Sequence, residues 1–225
     1  MTNKKEQTGK LLEDHIIEKV CANLQQSIKN PAIELKYTTD YTLLVAVILS
    51  AQSTDVGVNK ATAKLFPLYD TPSKILSLGE EGLKQYIKTI GLYNNKAKNV
   101  IKMSEILLNN FDSKVPSNFD DLVSLPGVGR KSANVILNCL YGHHTIAVDT
   151  HVFRVSNRIG LCSASNVLET EKQLNKRISE KYKSIIHHLL VLHGRYKCKA
   201  KKPDCATCSI NKYCIYYNTI NKHNS

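Results

Sequence analysis

Residues 125–131 combine a tight glycine-rich turn with a side chain that could react. Pro126 restricts φ, while Gly127 and Gly129 allow a backbone turn with positive φ. Helix-like sequence lies on both sides, so we predict a helix–hairpin–helix with Lys131 in the first turn of the second helix. Glycine amides and a helix N-terminus together form an anion site, and the same partial positive charge disfavours a protonated amine. Lys131 is therefore a candidate nucleophile, with an ordinary solvated lysine as the simpler alternative.

Four of the seven cysteines lie in the last 28 residues, with the spacing Cys-x6-Cys-x2-Cys-x5-Cys. Four thiolates within 17 residues can enclose one metal centre, and both tetrahedral zinc and a cubane iron–sulfur cluster accept such a set. Zinc ribbons usually offer two Cys-x-x-Cys pairs, whereas this chain has one, so the spacing slightly favours iron–sulfur and leaves zinc open. The predicted metal ligands are Cys198, Cys205, Cys208 and Cys214.

Lysines are concentrated in the loop between the first two cysteines of this cluster. Lys199, Lys201 and Lys202 lie there, and their charge would partly offset that of the thiolates. Held rigidly by a metal centre, the same lysines would also form a compact phosphate-binding patch.

Other residues that could do chemistry have simpler structural interpretations. Isolated cysteines in apolar-periodic stretches are most often small buried hydrophobic residues. The histidines near residue 190 lack the spacing of zinc ligands with a general base, so we interpret them as structural or surface groups. These residues are Cys21, Cys139 and Cys162, together with His187, His188 and His193.

The composition agrees with a nucleic-acid partner. The chain has 225 residues, 42% of them hydrophobic, which allows one or two domains with a sizeable core. Its formal charge of +12 indicates either a lysine-rich solvated surface or an electrostatic footprint for nucleic acid. The longest purely apolar run, residues 43–49, is too short to cross a bilayer. Residues 1–10 contain no apolar export signal, so we expect a reducing, cytoplasmic compartment in which clustered cysteines bind metal.

The elements that must position these residues are helices. Apolar residues recur at helical spacing, beginning with every fourth residue from Leu12 to Ile28, and no stretch shows sustained alternation, so the predicted fold class is all-α. Asp55, Ser117 and either Asp149 or Thr150 precede helix-like runs and are predicted N-caps. Gly91 is predicted to adopt positive φ. The remaining predicted helices include 41–51, 56–66, 73–78, 80–87, 97–109, 118–125, 130–141, 167–178 and 185–194.

The motifs taken together closely resemble those of the endonuclease III family. These proteins are bifunctional DNA glycosylases and abasic-site lyases of the helix–hairpin–helix superfamily. The resemblance is carried by the hairpin at 125–131, by the sequence Val-Asp-Thr-His at 148–151, and by the cysteine spacing. The aspartate of the second motif follows Lys131 by 18 residues. The resemblance also includes residues 49–52, 55–62 and 87–93, and extends over about residues 15–217.

The resemblance implies a two-lobed helical fold with a metal cofactor. One lobe would be a six-helix barrel with the hairpin, residues 33–143. The other would join residues 1–32 to residues 144–225 and carry a [4Fe-4S] cluster with a structural and DNA-positioning role. The implied partner is double-stranded DNA that contains damaged pyrimidines or abasic sites. We expect a monomer of bacterial type, associated with the nucleoid in the cytoplasm.

The resemblance also assigns roles to individual residues. Lys131 would be the nucleophile, and Asp149 its carboxylate partner. Gln52, otherwise a surface amide, would fill the gap left by the extruded base, and Leu92, otherwise an exposed tip or a core contact, would enter the opposite strand. The remaining expected DNA contacts are Gly127, Gly129, Arg130, Lys199, Lys201 and Lys202.

Two rival interpretations make different predictions. Adenine-excising glycosylases of the same superfamily share the cysteine spacing but use a glutamate in the helix before the Gln52 position, whereas residues 41–54 contain no carboxylate. They also lack a lysine at the position of Lys131. A non-catalytic DNA-binding module stabilised by zinc would bind DNA in a salt-sensitive way without cleaving it. Its colourless metal would distinguish it from a brown iron–sulfur protein.

Overall fold

The computed structural model describes residues 10–222, with side chains described up to residue 220. No β-strand occurs within residues 10–222, which confirms the all-α prediction. Residues 1–9, which form most of the segment examined for an export signal, lie outside the described part. The helices are α1 (Asp14–Ser27), α2 (Asp40–Ser50), α3 (Asp55–Thr62), α4 (Pro72–Ile87), α5 (Tyr93–Asn110), α6 (Phe119–Ser124), α7 (Arg130–Tyr141), α8 (Thr150–Ile159), α9 (Val167–Arg177), α10 (Glu180–Tyr196) and α11 (Ile215–Lys222), with a 3-10 turn at Asn211–Tyr213.

The chain divides into two compact units. The hairpin unit is Ile33–Gly142 and contains α2 to α7. The cysteine unit is Met1–Ala32 together with His143–Ser225, and contains α1 and α8 to α11. Within residues 10–222, no helix combines the length and the apolar character that a membrane span requires.

Helix α2, which is buried over most of its length, forms the centre of the hairpin unit. All its residues from Tyr41 to Leu49 are buried, as its nearly continuous apolar sequence predicts. A capping box begins the helix: the Thr39 hydroxyl accepts the N–H of Thr42, and the Thr42 hydroxyl accepts the N–H of Thr39. Helices α3, α5 and α7 all pack against α2. The turn that follows α2 is therefore anchored on the core of the unit.

Helix α4 contains a break that the sequence predicted. Runs 73–78 and 80–87 form one helix, Pro72–Ile87, interrupted at Gly79, whose φ is 72°. A positive φ is readily adopted only by glycine, so the helix kinks there. Helix α4 packs against α5.

Two predicted N-caps are displaced by one residue in the structure. Thr54, and not Asp55, caps α3, because its hydroxyl accepts the backbone N–H three residues on. Asn118, and not Ser117, caps α6 in the same way through its side-chain oxygen. Where two adjacent residues can both cap, the sequence alone does not decide which reaches the free amide.

The cysteine unit has its own hydrophobic core between α1, α8, α9 and α10. Cys21 and Cys162 are buried in it, as predicted, whereas Cys139, in the other unit, is only partly buried. The three histidines of α10 are buried, which confirms their structural interpretation and excludes the surface alternative. The Nδ1 atom of His187 lies 2.6 Å from the carbonyl oxygen of Ala147.

Candidate functional site

The structure contains the predicted hairpin between α6 and α7. Gly127 has a φ of 82°, whereas Gly129 has a φ of −98°, so only the first glycine uses positive φ. A Cβ atom on Gly127 would lie 3.0 Å from Ile48 and 3.1 Å from Asn99, while one on Gly129 would meet no atom within 4 Å. One glycine thus lets the turn pack against α2 and α5, and the other leaves open space where α7 begins.

The backbone amides of this hairpin are available to an anion. Val128 donates its N–H to the carbonyl of Leu125 at 3.0 Å. Among the described residues, neither Gly127 nor Gly129 donates its N–H to a protein acceptor, and no side chain caps α7. The amides and the helix N-terminus are thus open to an acceptor, and the anion site stays a prediction.

Lys131 is the second residue of α7 and is exposed. Within residues 10–222, its side chain makes no hydrogen bond or ion pair. Its neighbour Arg130 is also exposed, and its guanidinium carbon lies 5.1 Å from the centre of the Phe119 ring. This cation–π contact fixes the neighbouring charge against α6 and leaves the Lys131 amine accessible.

Gln52 occupies a strained turn directly after α2. Ser53 donates its N–H to the carbonyl of Ser50 at 3.0 Å. Ala51 has φ −55° and ψ 118°, and Gln52 has φ 53°, which is the geometry of a type II turn. That position favours glycine, and a residue with a Cβ costs about 1–2 kcal/mol there. The strain holds an exposed amide side chain at the end of a buried helix.

Leu92 is unusual in both its exposure and its backbone conformation. It is 55% exposed, and its φ of 60° places it in the left-handed region as the residue before α5. The sequence predicted positive φ at Gly91, and this prediction was wrong by one residue. A Cβ atom on Gly91 would lie 3.8 Å from the carbonyl oxygen of Gln52, so the two strained turns are neighbours. Strained backbone that is retained is a feature of functional sites.

Asp149 caps α8 in the cysteine unit. Its Oδ1 accepts the N–H of Val152 at 2.8 Å, and the side chain is partly buried. The structure thus selects Asp149 over Thr150 as the cap. The second carboxylate oxygen is not used by the cap. Lys131 belongs to the other unit, and its pairing with Asp149 remains a prediction.

The four clustered cysteines line one small cavity of about 20 Å³. Burial raises the pKa of Cys205, Cys208 and Cys214, the last to about 11, and the charges of neighbouring thiols raise them further. Four thiolates in one cavity need a bound cation to be stable. Such a group of thiolates is the donor set of a metal centre. Among residues 10–222, no group of three or more histidine, cysteine or acidic side chains is arranged to hold a metal ion as the structure stands.

Side-chain nitrogen atoms lie near two of these sulfur atoms, and the one from Arg158 is a donor. Arg158 Nη1 lies 3.8 Å from the Sγ of Cys198, and His193 Nε2 lies 3.7 Å from the Sγ of Cys208. Donors around a thiolate group offset part of its charge. The donor set and its surroundings therefore fit a thiolate-bound metal centre.

Residues 197–214, which carry the four clustered cysteines, form the cysteine loop. Two arginines of α8 hold the backbone where this loop begins. Arg154 donates to the carbonyl oxygens of Gly194 and Cys198, at 2.8 and 3.1 Å. Arg158, which is 2% exposed, donates to the carbonyl oxygens of Lys199 and Ala200, at 2.8 and 3.1 Å. Asp149 caps the same helix, so α8 connects the candidate carboxylate to the cysteine loop.

The loop lysines face solvent while their backbone is fixed. Lys199, Lys201 and Lys202 are all exposed. Lys202 has a φ of 51°, and the loop closes where Asp204 donates its N–H to the carbonyl of Lys197 at 3.1 Å. The three lysines are thus exposed on a loop whose backbone is fixed, and the phosphate-binding patch stays a prediction.

Sequence reasoning missed four polar residues that hold these loops. Arg154 and Arg158 carried a signal, because they lie four residues apart on one helix and project in the same direction. Ser53 and Lys96 carried none, because they are 43 residues apart and meet only in the folded chain.

Comparison with known proteins gives consistent results. Residues 45–181 match the family model of the HhH-GPD superfamily of base excision DNA repair proteins. Endonuclease III of Rickettsia felis is 55% identical, over 92% of this chain and 98% of its own length. Endonuclease III of Escherichia coli K12 is 51% identical, over 88% of this chain and 93% of its own length.

Solved structures agree with the sequence relatives. A trapped covalent endonuclease III–DNA intermediate is similar with a TM-score of 0.87 and 41% identity, over 94% of this chain and all of the other. A non-covalent endonuclease III–DNA complex gives 0.88 and 41% over the same shares. These findings confirm the resemblance drawn from the motifs. The chain belongs to the HhH-GPD superfamily of base excision DNA repair proteins and, within it, to the endonuclease III family of DNA glycosylases and abasic-site lyases.

Proposed function

We propose that Lys131 is the nucleophile with which this enzyme removes damaged pyrimidines from DNA and nicks the resulting abasic site. The observation that carries this proposal is an exposed amine beside two hairpin amides that have no protein acceptor among the described residues. An anion site next to a nucleophile would hold a phosphate and so place the neighbouring sugar within reach of the amine. The trapped covalent intermediate of the related structure supports a covalent route.

The proposed reaction begins with extrusion of the damaged nucleotide. Extrusion costs a few kcal/mol and is easiest for a base that pairs and stacks poorly. Neutral Lys131 attacks C1′ of the sugar, and the damaged base departs with the electron pair of the glycosidic bond and takes up a proton. The sugar ring opens to give a Schiff base with Lys131. Loss of a C2′ proton then expels the 3′ phosphate by β-elimination, which nicks the strand, and water releases the lysine.

Asp149 supplies negative charge in this scheme. Its carboxylate would stabilise the positive charge that develops on the sugar and assist proton transfer. One carboxylate oxygen accepts the N–H of Val152, so the side chain is oriented by its own helix.

The exposed residues of the two strained turns would contact the opened duplex. Gln52 would fill the space that the extruded base leaves, and Leu92 would enter the opposite strand as an apolar wedge. Gly127, Gly129 and Arg130 would bind the backbone phosphates. Lys199, Lys201 and Lys202 would bind phosphates further along the duplex.

We further propose that Cys198, Cys205, Cys208 and Cys214 hold a [4Fe-4S] cluster. When bound, the cluster supplies a rigid thiolate-linked centre, and neither base removal nor β-elimination requires electron transfer. Residues 144–225 with 1–32 would form the cluster lobe, and residues 33–143 the six-helix barrel. We expect the enzyme to act as a monomer on nucleoid DNA in a bacterial cytoplasm.

A duplex with one thymine glycol, incubated with and without borohydride, tests the assignment. We expect a nicked strand without borohydride and a trapped protein–DNA adduct with it, both lost in Lys131→Ala. Lys102→Ala is the matched control, because Lys102 is an exposed lysine of the same unit outside every motif. Full adduct formation by Lys131→Ala would refute the assignment of the nucleophile.

The same experiment separates the rival functions. Base release without nicking or trapping would indicate a monofunctional glycosylase. Salt-sensitive binding with neither reaction, on this duplex or on an abasic one, would indicate a non-catalytic module. Iron and sulfide content and visible absorption of the purified protein test the cluster, and a colourless zinc protein would contradict it.

A further inference from the structure

Lys96 is a buried lysine that connects the Gln52 turn and the Leu92 turn of the hairpin unit. The residue is only 4% exposed, and its Nζ donates to the hydroxyl of Ser53 at 2.7 Å. Ser53 follows Gln52 directly in the chain. The backbone N–H of Lys96 donates to the carbonyl of Leu92 at 3.0 Å. One residue therefore binds the Leu92 turn through its backbone and the Gln52 turn through its side chain.

The burial of this amine is costly. Burial lowers the pKa of Lys96, since the charged form loses its hydration. Among the described residues, the Ser53 hydroxyl is the acceptor that Nζ reaches. A methionine would fill the same volume without this desolvation cost. A buried polar contact at a position where an apolar side chain would cost less free energy indicates a geometric role.

The first two turns of α5 also contact the hairpin. Asn99, one turn after Lys96, lies 3.1 Å from the position that a Cβ of Gly127 would occupy. Gly91, just before the helix, lies beside the Gln52 carbonyl. The start of α5 thus adjoins the Gln52 turn, carries the Leu92 turn and supports the hairpin turn.

We propose that Lys96 is a positioning residue for base extrusion, which sets the distance between the Gln52 and Leu92 turns so that both side chains enter the duplex together. This inference rests on the proposed function, because it concerns the same site. The two side chains would act on opposite strands of one base pair. An error of about 1 Å in their spacing can lower the rate about 100-fold, even far from the reacting atoms.

Four variants test this role: Lys96→Met, Ser53→Ala, the double variant, and Lys98→Met as control. Lys98 is an exposed lysine of the same helix, two residues on, so its variant matches the loss of charge alone. Excision of thymine glycol is measured in single turnovers. Unstacking is followed by fluorescence of 2-aminopurine opposite the lesion. Schiff-base formation is followed by borohydride trapping on a duplex whose abasic site faces a second abasic site.

Lys96→Met is expected to lower the excision rate about 10- to 100-fold and to reduce the 2-aminopurine signal. Trapping on the duplex with two facing abasic sites should stay within about threefold, because no base has to be extruded or displaced there. Lys98→Met should match the wild type in all three measurements. A merely structural role would lower excision and trapping by the same factor.

The double variant tests the contact itself. Because the two single variants remove the same interaction, the excision rate of the double variant should be no lower than that of the slower single variant. Multiplied losses, or a wild-type excision rate in both Lys96→Met and Ser53→Ala, would overturn the inference. If Lys96→Met does not fold, Ser53→Ala carries the test alone. A wild-type chain that neither excises nor traps would overturn the proposed function and this inference with it.

Discussion

The two units hold their candidate site loops by different physical means. The hairpin unit uses short turns against buried helices, with positive φ at Gln52 and Leu92 and one buried lysine between them. The cysteine unit holds a long irregular loop, in which Arg154 and Arg158 bind the backbone carbonyls and four cysteines line a cavity. A short turn can be positioned by the core beneath it, whereas the loop without its own core is held by buried charges and, on our proposal, by a metal centre.

Loss of one proposed metal ligand should have the largest effect. We expect Cys208→Ala to lower the midpoint of thermal unfolding by about 10 °C or more, at roughly 2–4 °C per kcal/mol for a chain of this size. Iron content and visible absorption should fall with it. Cys139→Ala is the control, since Cys139 lies in the hairpin unit and lines no metal cavity. An unchanged midpoint in a Cys208→Ala protein without iron would contradict the comparison.

Removal of a buried arginine should rank next. Arg158→Met leaves the carbonyl oxygens of Lys199 and Ala200 without their donor, and we expect a loss of about 2–4 kcal/mol in the free energy of unfolding. Salt-dependent DNA binding should weaken as well, because the loop lysines lose their fixed backbone. Lys172→Met, an exposed lysine of the same unit, should change neither quantity. Urea unfolding and a salt titration of DNA affinity measure both.

The two hairpin glycines form a matched pair. Gly127→Ala should cost about 1–3 kcal/mol, because its φ is 82° and a Cβ would press on Ile48 and Asn99. Gly129→Ala should leave stability within about 0.5 kcal/mol, since its φ is ordinary and its surroundings are open. Denaturant unfolding of both variants checks this. Equal destabilisation by the two would show that the hairpin is not positioned by packing.

Relief of backbone strain should stabilise the protein and slow the reaction. Gln52→Gly removes the Cβ from the left-handed position, so we expect up to about 1 kcal/mol of added stability. Excision of a damaged base should nevertheless fall, because the side chain that we propose to fill the gap is gone. Thermal unfolding and single-turnover excision are measured on the same preparation. Val56→Gly removes an exposed side chain from α3 and is the control for the effect of introducing a glycine. It should lower the free energy of unfolding.

Acid should weaken the cysteine unit through a buried histidine. Burial lowers the pKa of His188 below its usual value of 6.5, so the unfolded chain binds the proton more readily. Stability should therefore fall as pH drops below 6.5, and it should level off below the folded-state pKa. His188→Leu should flatten this part of the pH profile. Urea unfolding between pH 7 and pH 5 tests the effect, which is the smallest of the five.

Much of the fold could be predicted from the chain, because its signals are local. Helical periodicity and capping residues depend on neighbours within one turn, and they predicted the helices and the break near Gly79. The predictions failed where adjacent residues compete for one role, as with Thr54 and Asp55. The choice of Leu92 over Gly91 for positive φ was also beyond local signals, since a leucine there is retained only by the contacts around it.

The sequence by itself determined the chemistry that is available: a lysine at the start of a hairpin helix, an aspartate at a helix cap, and four cysteines at cluster spacing. The tertiary structure alone decided how these residues are held. The contact between Lys96 and Ser53 and the contacts from Arg158 to the cysteine loop join residues about 40 positions apart. Side chains so distant in the chain leave no periodic pattern, because their meeting depends on how whole helices pack.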